Sequence, residues 1–557
     1  MALPEPSCCL RSLIFNNSFV KRVVEAALFS SDCIGGKHAM KKFLSIIFLL
    51  LVILLTGCGN QKQEQKHIDK SSEKNVVVLA AYRHLAPGNK DGLYCSRVLG
   101  VWEPLITKDA DNRPAPCLAQ SWEMRDGGKE WIFHLRQDVY FHNGTKFTAD
   151  SVIANFDRMK KGYKRSSFYG LNMATYYPTL IKYEKLDDYT IRLLFKEANV
   201  NELYKMTDFG SPIYAPECFA EDGNFKSVAI GTGPYKITEN ALNKYVVLQR
   251  NDNYWGEKGR IAKYIVRTIP NTDTRYAALK SEEIDGVIDI NAIPPFLAEE
   301  IKKDSRFEVG KNKSTMIRYL GLNGTKFPFN DVRMRRAVSL AIDRKNLVHN
   351  MYLDYAEPTV NILNYTSPGY KALPLGYDLQ EAKRLAHEVL GDERCEITYC
   401  INGSEPLQKG EAELIAYWLQ EIGLDVKIKS IEYATLSKML RKGDFNIVRT
   451  QRGLANGDPF SALYPFVMPD GALNVSNRFG YKNTEIITLM NNVKHITDED
   501  ERQRVFDRVQ VIIGYEQPII PLFNDMNIVA CNKRLKNYKP LVYGVDLSKV
   551  ELVEKYD

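Results

Sequence analysis

The sequence has no CxxC pair, no HxH or HExxH spacing, no GxSxG elbow and no GxxxxGK[ST] loop. The first absence removes zinc-ribbon and thioredoxin-type redox sites. The others remove zincin, α/β-hydrolase and P-loop chemistry, and no close acid pair stands in a supporting context, so an enzyme is not expected. The 8 histidines are dispersed, which leaves no set of protein ligands for a metal. The net charge of +7 comes without a basic block, because lysines and acids are interspersed. A nucleic-acid partner is therefore not expected. Phe43–Leu55, apolar apart from Ser45, stops short of the ~18 residues of a membrane span.

What is present begins with that run. Met40-Lys41-Lys42 gives it a basic start, and Leu55-Thr56-Gly57-Cys58 ends it. A charged start, a short apolar stretch and a small-residue cleavage site read as a secretory signal. The LTGC tetrapeptide is similar to the lipobox of bacterial lipoproteins, which implies that Cys58 is acylated and becomes the mature N-terminus. Several acyl chains would hold the protein stably where one is marginal. Residues 1–39 precede this start without a helix or strand pattern and are read as a spurious extension. The signal is 40–57, and the polar stretch to residue 75 is a disordered tether.

A chain of 557 residues is too long for one ordinary core, so two or three lobes are expected. Its 45% hydrophobic and 26% charged content is that of a soluble globular protein. Val76–Ala80 is a short apolar run of strand length. Trp131, Phe133 and Leu135 alternate along a second strand, and Tyr189–Phe195 reads as a third. A helix opens after Thr148. Val332–Leu347 predicts one amphipathic helix with Arg333, Arg335 and Arg336 on a solvated face. Glu411–Ile422 is a helix stopped by Gly423, followed by a strand at Val426–Ile428. The class is α/β, with a mixed sheet in each lobe. Cys395 and Cys400 are bridged if they sit on adjacent segments, or else are scattered core thiols.

Several blocks in order then resemble one family. They are Leu118-Ala119-Gln120-Ser121-Trp122-Glu123, Asp126–Arg136, Val139–Gly144 with Phe147–Val152, Gly231-Thr232-Gly233-Pro234-Tyr235, Arg250–Gly256, Glu283–Gly286 and Asn330–Val338. The chain resembles the large solute-binding proteins of peptide, nickel and opine ABC importers, bacterial family 5, and its texture is most similar to the nickel-binding branch. The resemblance implies a two-lobed periplasmic-binding-protein-like fold (type II, large form). Lobe I would comprise 76–110, 230–305 and 515–557, with an extra subdomain at 111–229, and lobe II would comprise 306–514. It also implies a monomer without cofactor, anchored outside the cytoplasm, that hands its ligand to a permease and ATPase subunits. A ligand-sensing receptor is the alternative role. Most matching residues are expected to be structural: Trp122, Trp131, Phe133 and Trp255 pack cores. Gly231 and Gly233 are expected to permit a tight turn or positive φ, fixed by Pro234.

The ligand positions depart from the family's patterns. Asn456-Gly457-Asp458-Pro459 looks like the dipeptide-binding branch, but Ala455 stands where that branch has the aspartate that pairs with a peptide's α-amino group. Against the nickel branch, the cleft aromatics fall on Gly453 and Gly457, an arginine on Phe209, the histidine near Gly471 and a methionine on Cys95, beside Tyr94. Arg165 matches a second family arginine, and Phe168 or Tyr169 a nearby aromatic. The resemblance thus marks Tyr94, Cys95, Arg165, Tyr169, Phe209, Arg452 and Asn456 as ligand-binding candidates. Arg165 and Arg452 would clamp a carboxylate, since guanidinium binds it in a bidentate fork. Cys95 is a soft metal ligand or a buried thiol. The cargo is a metal chelate held by arginines and aromatics, or a short peptide.

Overall fold

The computed structural model describes residues 75–86, 98–109, 112–161, 173–207, 211–226, 228–289, 292–403, 405–453, 458–542 and 544–553. The extension, the signal with Cys58 and all of the tether but Asn75 lie outside the described residues.

Among the described residues, one mixed sheet of eleven strands organises the fold, ten along one path and Ala356–Pro358 paired beside it with Ile519–Asn532. On one side run Tyr235–Ala241, Tyr245–Arg250, Lys263–Thr268, Val76–Ala81 and Gly286–Val287. On the other run Ile447–Gly453, Cys395–Asn402 and Leu424–Ile431. Two long strands, Phe307–Leu322 and Ile519–Asn532, join these halves as neighbours. Their ladder is antiparallel from Phe307↔Asn532 to Gly321↔Ile519, with irregularities between Lys313 and Ile317 and between Arg318 and Tyr319. Ile519–Asn532 reaches back to Gly286–Val287, and Phe307–Leu322 reaches forward to Ile447–Gly453. The mixed sheets expected separately in each lobe are thus continuous, because the joining strands are long enough to pair on both sides.

Helices cover both faces of the second half, whereas in the first half one face is covered by helices and the other by loops and the C-terminal segment. Val77, Leu79 and Tyr264 pack one face of the first half, and Val78, Ala80 and Ile265 the other. In the second half Leu320, Leu322 and Tyr399 face one helical layer, while Ile317 and Tyr319 face another. A separate antiparallel sheet, in the order Ala119–Arg125, Glu130–Leu135, Thr190–Phe195, Leu180–Asp187, forms the subdomain. Its core takes Trp131, Phe133 and Leu135, the three alternating residues, together with Phe147 just before the Thr148 helix start and Val152 after it.

The single helix expected over Val332–Leu347 is two, Val332–Ala341 and Arg344–Tyr352. Ile342 is extended, and Asp343 caps the second helix by accepting from the Asn346 N–H. Nor is the arginine face simply solvated. Arg335 donates to the carbonyls of Phe329 and Glu516, and Arg336 stacks 4.1 Å over the Tyr515 ring. Cys395 and Cys400 lie on one strand and are both free thiols.

The glycines of Gly231-Thr232-Gly233 are needed for close approach, not for positive φ. A Cβ on Gly231 would lie 2.1 Å from the Val101 carbonyl oxygen, and one on Gly233 2.3 Å from that of Gly100. Beside them His142 Nε2 lies 2.9 Å from the Gly233 carbonyl, the geometry of a neutral ring donating. Burial pushes the His142 pKa down to about 4. The unfolded chain, with a histidine near the ordinary ~6.5, therefore takes up the proton first. Stability is expected to fall by up to about 3 kcal/mol as pH drops from about 6.5 toward about 4. Melting of the wild type and His142→Asn at about pH 7 and about pH 4.5 checks this, and an identical pH slope in the two would refute it.

Candidate functional site

In open α/β sheets ligands gather beyond the carboxyl ends of the strands. In the second half, two parallel strands, Cys395–Asn402 and Ile447–Gly453, end together. A cavity of about 330 Å³ opens there, lined among others by Asn402, Glu405, Gln408, Arg441, Thr450 and Arg452. This is within the range of small-ligand pockets. Arg452 lies on the strand opposite Ile317, with its guanidinium 5.5 Å from the Phe466 ring centre. Leu436, Leu440, Leu473 and Tyr319 give the cavity apolar walls.

A buried ionic network backs this cavity. Arg449 Nε and Nη2 donate to Glu411 at 2.6 and 3.1 Å, with the two side chains 1% and 0% exposed. Tyr352 donates its hydroxyl to the same carboxylate. Burial opposes the charge on Arg449, yet Glu411 beside it raises the pKa well above the usual arginine value. Next to it Arg318 forks onto Asp525 at 2.7–2.9 Å, joining the two long strands, and reaches Glu405 at 3.6 Å.

In the first half, the carboxyl ends of Val76–Ala81 and Gly286–Val287 carry a second polar cluster. Arg83 binds Asp289 through two contacts of 2.8 and 2.9 Å. His84 sits between Asn240 Oδ1 and Thr268 Oγ1, at 2.7 and 3.1 Å, and burial lowers its pKa.

The subdomain touches the second half. Asn112 Nδ2 donates to the Thr366 carbonyl at 2.7 Å, and the Val200 N–H to that of Lys494 at 3.2 Å. Lys494 also pairs with Glu197 at 3.3 Å. Asp458, wholly buried, caps the helix Pro459–Val467 through the Phe460 and Ser461 N–H groups. Burial raises its carboxyl pKa, opposed by its own hydrogen bonds and by the charge of Lys205 from the subdomain.

Of the residues expected at the ligand, Arg452 is at the cavity. Tyr94, Cys95, Arg165, Tyr169, Phe209 and Asn456 lie outside the described residues, as do Phe168 and Gly457. Gly471 has no room for a side chain: a Cβ there would lie 2.6 Å from the Tyr464 carbonyl oxygen. Sequence reasoning missed the Arg449–Glu411 pair. Its signal was an arginine directly after Ile447-Val448, and an acid four residues before Ile415 on the buried helix face. Among the described residues, no group of three or more His, Cys, Asp or Glu could hold a metal ion.

The family model described as bacterial extracellular solute-binding proteins, family 5 Middle, matches residues 113–474. The chain is 27% identical over 461 residues to heme-binding protein A of Haemophilus influenzae, covering 77% of this chain and 82% of that protein. It is 26% identical over 484 residues to the nickel-binding periplasmic protein of Escherichia coli, covering 82% and 90%. Among solved structures, the periplasmic binding protein DppA of Helicobacter pylori in complex with the peptide STSA superposes with a TM-score of 0.68 at 26% identity, covering 86% of this chain and 98% of that one.

Proposed function

From the premise that this chain belongs to the bacterial extracellular solute-binding proteins of family 5, we propose that it is the lipid-anchored receptor of an ABC importer, capturing a metal chelate or a short peptide between two lobes. It is the solute-binding component of a transporter and not an enzyme. Lobe I is read as 76–110, 230–305 and 515–557 with its subdomain at 111–229, and lobe II as 306–514. The observation that carries the reading is the pair of neighbouring strands, Phe307–Leu322 and Ile519–Asn532, that run between the halves of the sheet. Two adjacent connections give a hinge about which the lobes close on a ligand, and closure is a population shift driven by contacts made in the closed state.

The relatives named for heme, nickel and peptide bracket the cargo. Ala455 in the place of the amino-binding aspartate favours the chelate, because a peptide there loses a charge-assisted hydrogen bond of ~1.5–3 kcal/mol. Arg452, and Arg165 by resemblance, supply the guanidinium groups that would hold a chelator's carboxylates. Cys58 supplies the anchor.

Native then denaturing mass spectrometry of the purified protein is the test. A metal released together with a small organic chelator is the expected result, and a released di- to pentapeptide would sink the chelate. Uptake left intact by deleting the gene, with gene expression altered, would assign sensing in place of transport. Cys58→Ser is expected to move the protein from the membrane fraction to the soluble fraction; unchanged membrane retention would remove the anchor.

A further inference from the structure

The contacts between the subdomain and the second half need no ligand to make them. On the subdomain, the tip at 197–201 is braced from behind. A Cβ on Gly128 would lie 2.7 Å from the Asn199 carbonyl oxygen, so the turn there sits directly against the tip. Asn199 Oδ1 accepts from the Asn201 N–H at 3.0 Å, and Asn199 Nδ2 donates to the buried Glu202 at 3.0 Å. The tip therefore meets the second half already shaped, which lowers the ordering cost of the contact. Its Val200 N–H donates to the Lys494 carbonyl, an acceptor without an intrahelical donor at the carboxyl end of the helix Thr484–Val493. The contact at Asn112 is tied to the joining strands. Thr366, whose carbonyl accepts from Asn112, donates its N–H and Oγ1 to Asn364 Oδ1 at 2.8 and 2.7 Å. Asn364 Nδ2 in turn donates to Asn524 Oδ1 at 2.8 Å, on the strand Ile519–Asn532. The charge of Lys205 acts on the buried Asp458 and offsets part of the cost of enclosing that carboxylate.

We propose that the subdomain is a latch on lobe II, so that the free receptor already populates its closed form and a ligand need only complete the shift. This rests on the reading of the chain as two lobes that close about the joining strands. The subdomain follows lobe I in the chain, so opening must break the contacts at Asn112, Glu197 and Val200. Because the latch sets the fraction of receptor in the closed form, it scales the affinity of every cargo by one factor.

The double variant Asn112→Gly/Lys494→Met breaks the latch from the surface. Asn112 has a φ of 60°, which glycine adopts freely, and the Lys494 side chain is 26% exposed. The test is hydrogen exchange of the full mature chain, shown by native mass spectrometry to be free of ligand. The segment carrying the Val200 amide is expected to exchange about tenfold faster in the variant, the combined effect of one hydrogen bond and one surface ion pair. The strand Glu130–Leu135 is expected to keep its wild-type rate, and small-angle scattering to give a larger radius of gyration. Unchanged exchange at Val200 overturns the latch. Equal acceleration in Glu130–Leu135 also overturns it, since the subdomain itself has then loosened. So does faster exchange at an unchanged radius of gyration, where the contact yields without the lobes moving. If all three respond as expected while deleting the gene leaves uptake unchanged, the latch stands and the receptor role alone fails.

Discussion

Replacing Arg449 with alanine is expected to cost about 3–5 kcal/mol of stability. The Glu411 carboxylate would be left 0% exposed, with the Tyr352 hydroxyl as its remaining donor among the described residues. Coulomb attraction that now offsets two desolvated charges would vanish, while the desolvation of one would remain. Glu411→Ala should be similarly costly. The double variant Arg449→Met/Glu411→Met should lose less than either single change, since it strands no charge. Urea unfolding of the four proteins closes the cycle. Additive losses would mean that the two groups do not act as a pair.

Glu103→Ala is expected to cost more than about 3 kcal/mol by a different route. The Glu103 carboxylate accepts from Thr232 Oγ1 at 2.7 Å, Tyr254 OH at 2.7 Å and Trp255 Nε1 at 2.9 Å. Truncation orphans three donors in the interior, each costing about 1–3 kcal/mol when left unmade. Arg136, stacked 4.2 Å over the Trp255 ring, would lose its platform as well. Glu103→Gln keeps one acceptor oxygen and should fall between. Tryptophan fluorescence during urea unfolding reports the change, and a midpoint for Glu103→Ala within that of Glu103→Gln would refute the three-donor account.

That carboxylate also explains why part of the architecture was legible. Gly231-Thr232-Gly233 and Tyr254-Trp255-Gly256 were readable as a turn and an aromatic segment, because glycine and tryptophan have strong local meanings. Their meeting point was not readable, since Glu103 lies far from both in sequence. The same division holds elsewhere. Trp131, Phe133 and Leu135 announced a strand through a period-two pattern. The break at Ile342 and Asp343 was hidden inside a good helical pattern. Arg344, directly after it, is 1% exposed and donates to the Pro521 and Ser339 carbonyls, a role that no local pattern carries. At the cavity, Arg452 came from resemblance, whereas Arg441 and Gln408 come from elements whose convergence only the fold supplies.

The order of synthesis gives the strand Ile519–Asn532 a further role. It is made near the end of the chain, yet it lies in the middle of the sheet. Until it arrives, Gly286–Val287 lacks its antiparallel neighbour, and Phe307–Leu322 exposes an edge of unpaired backbone groups. Neither half can complete its hydrogen-bond ladder from the residues translated first. The sheet is therefore closed into one piece only after nearly the whole chain has been made.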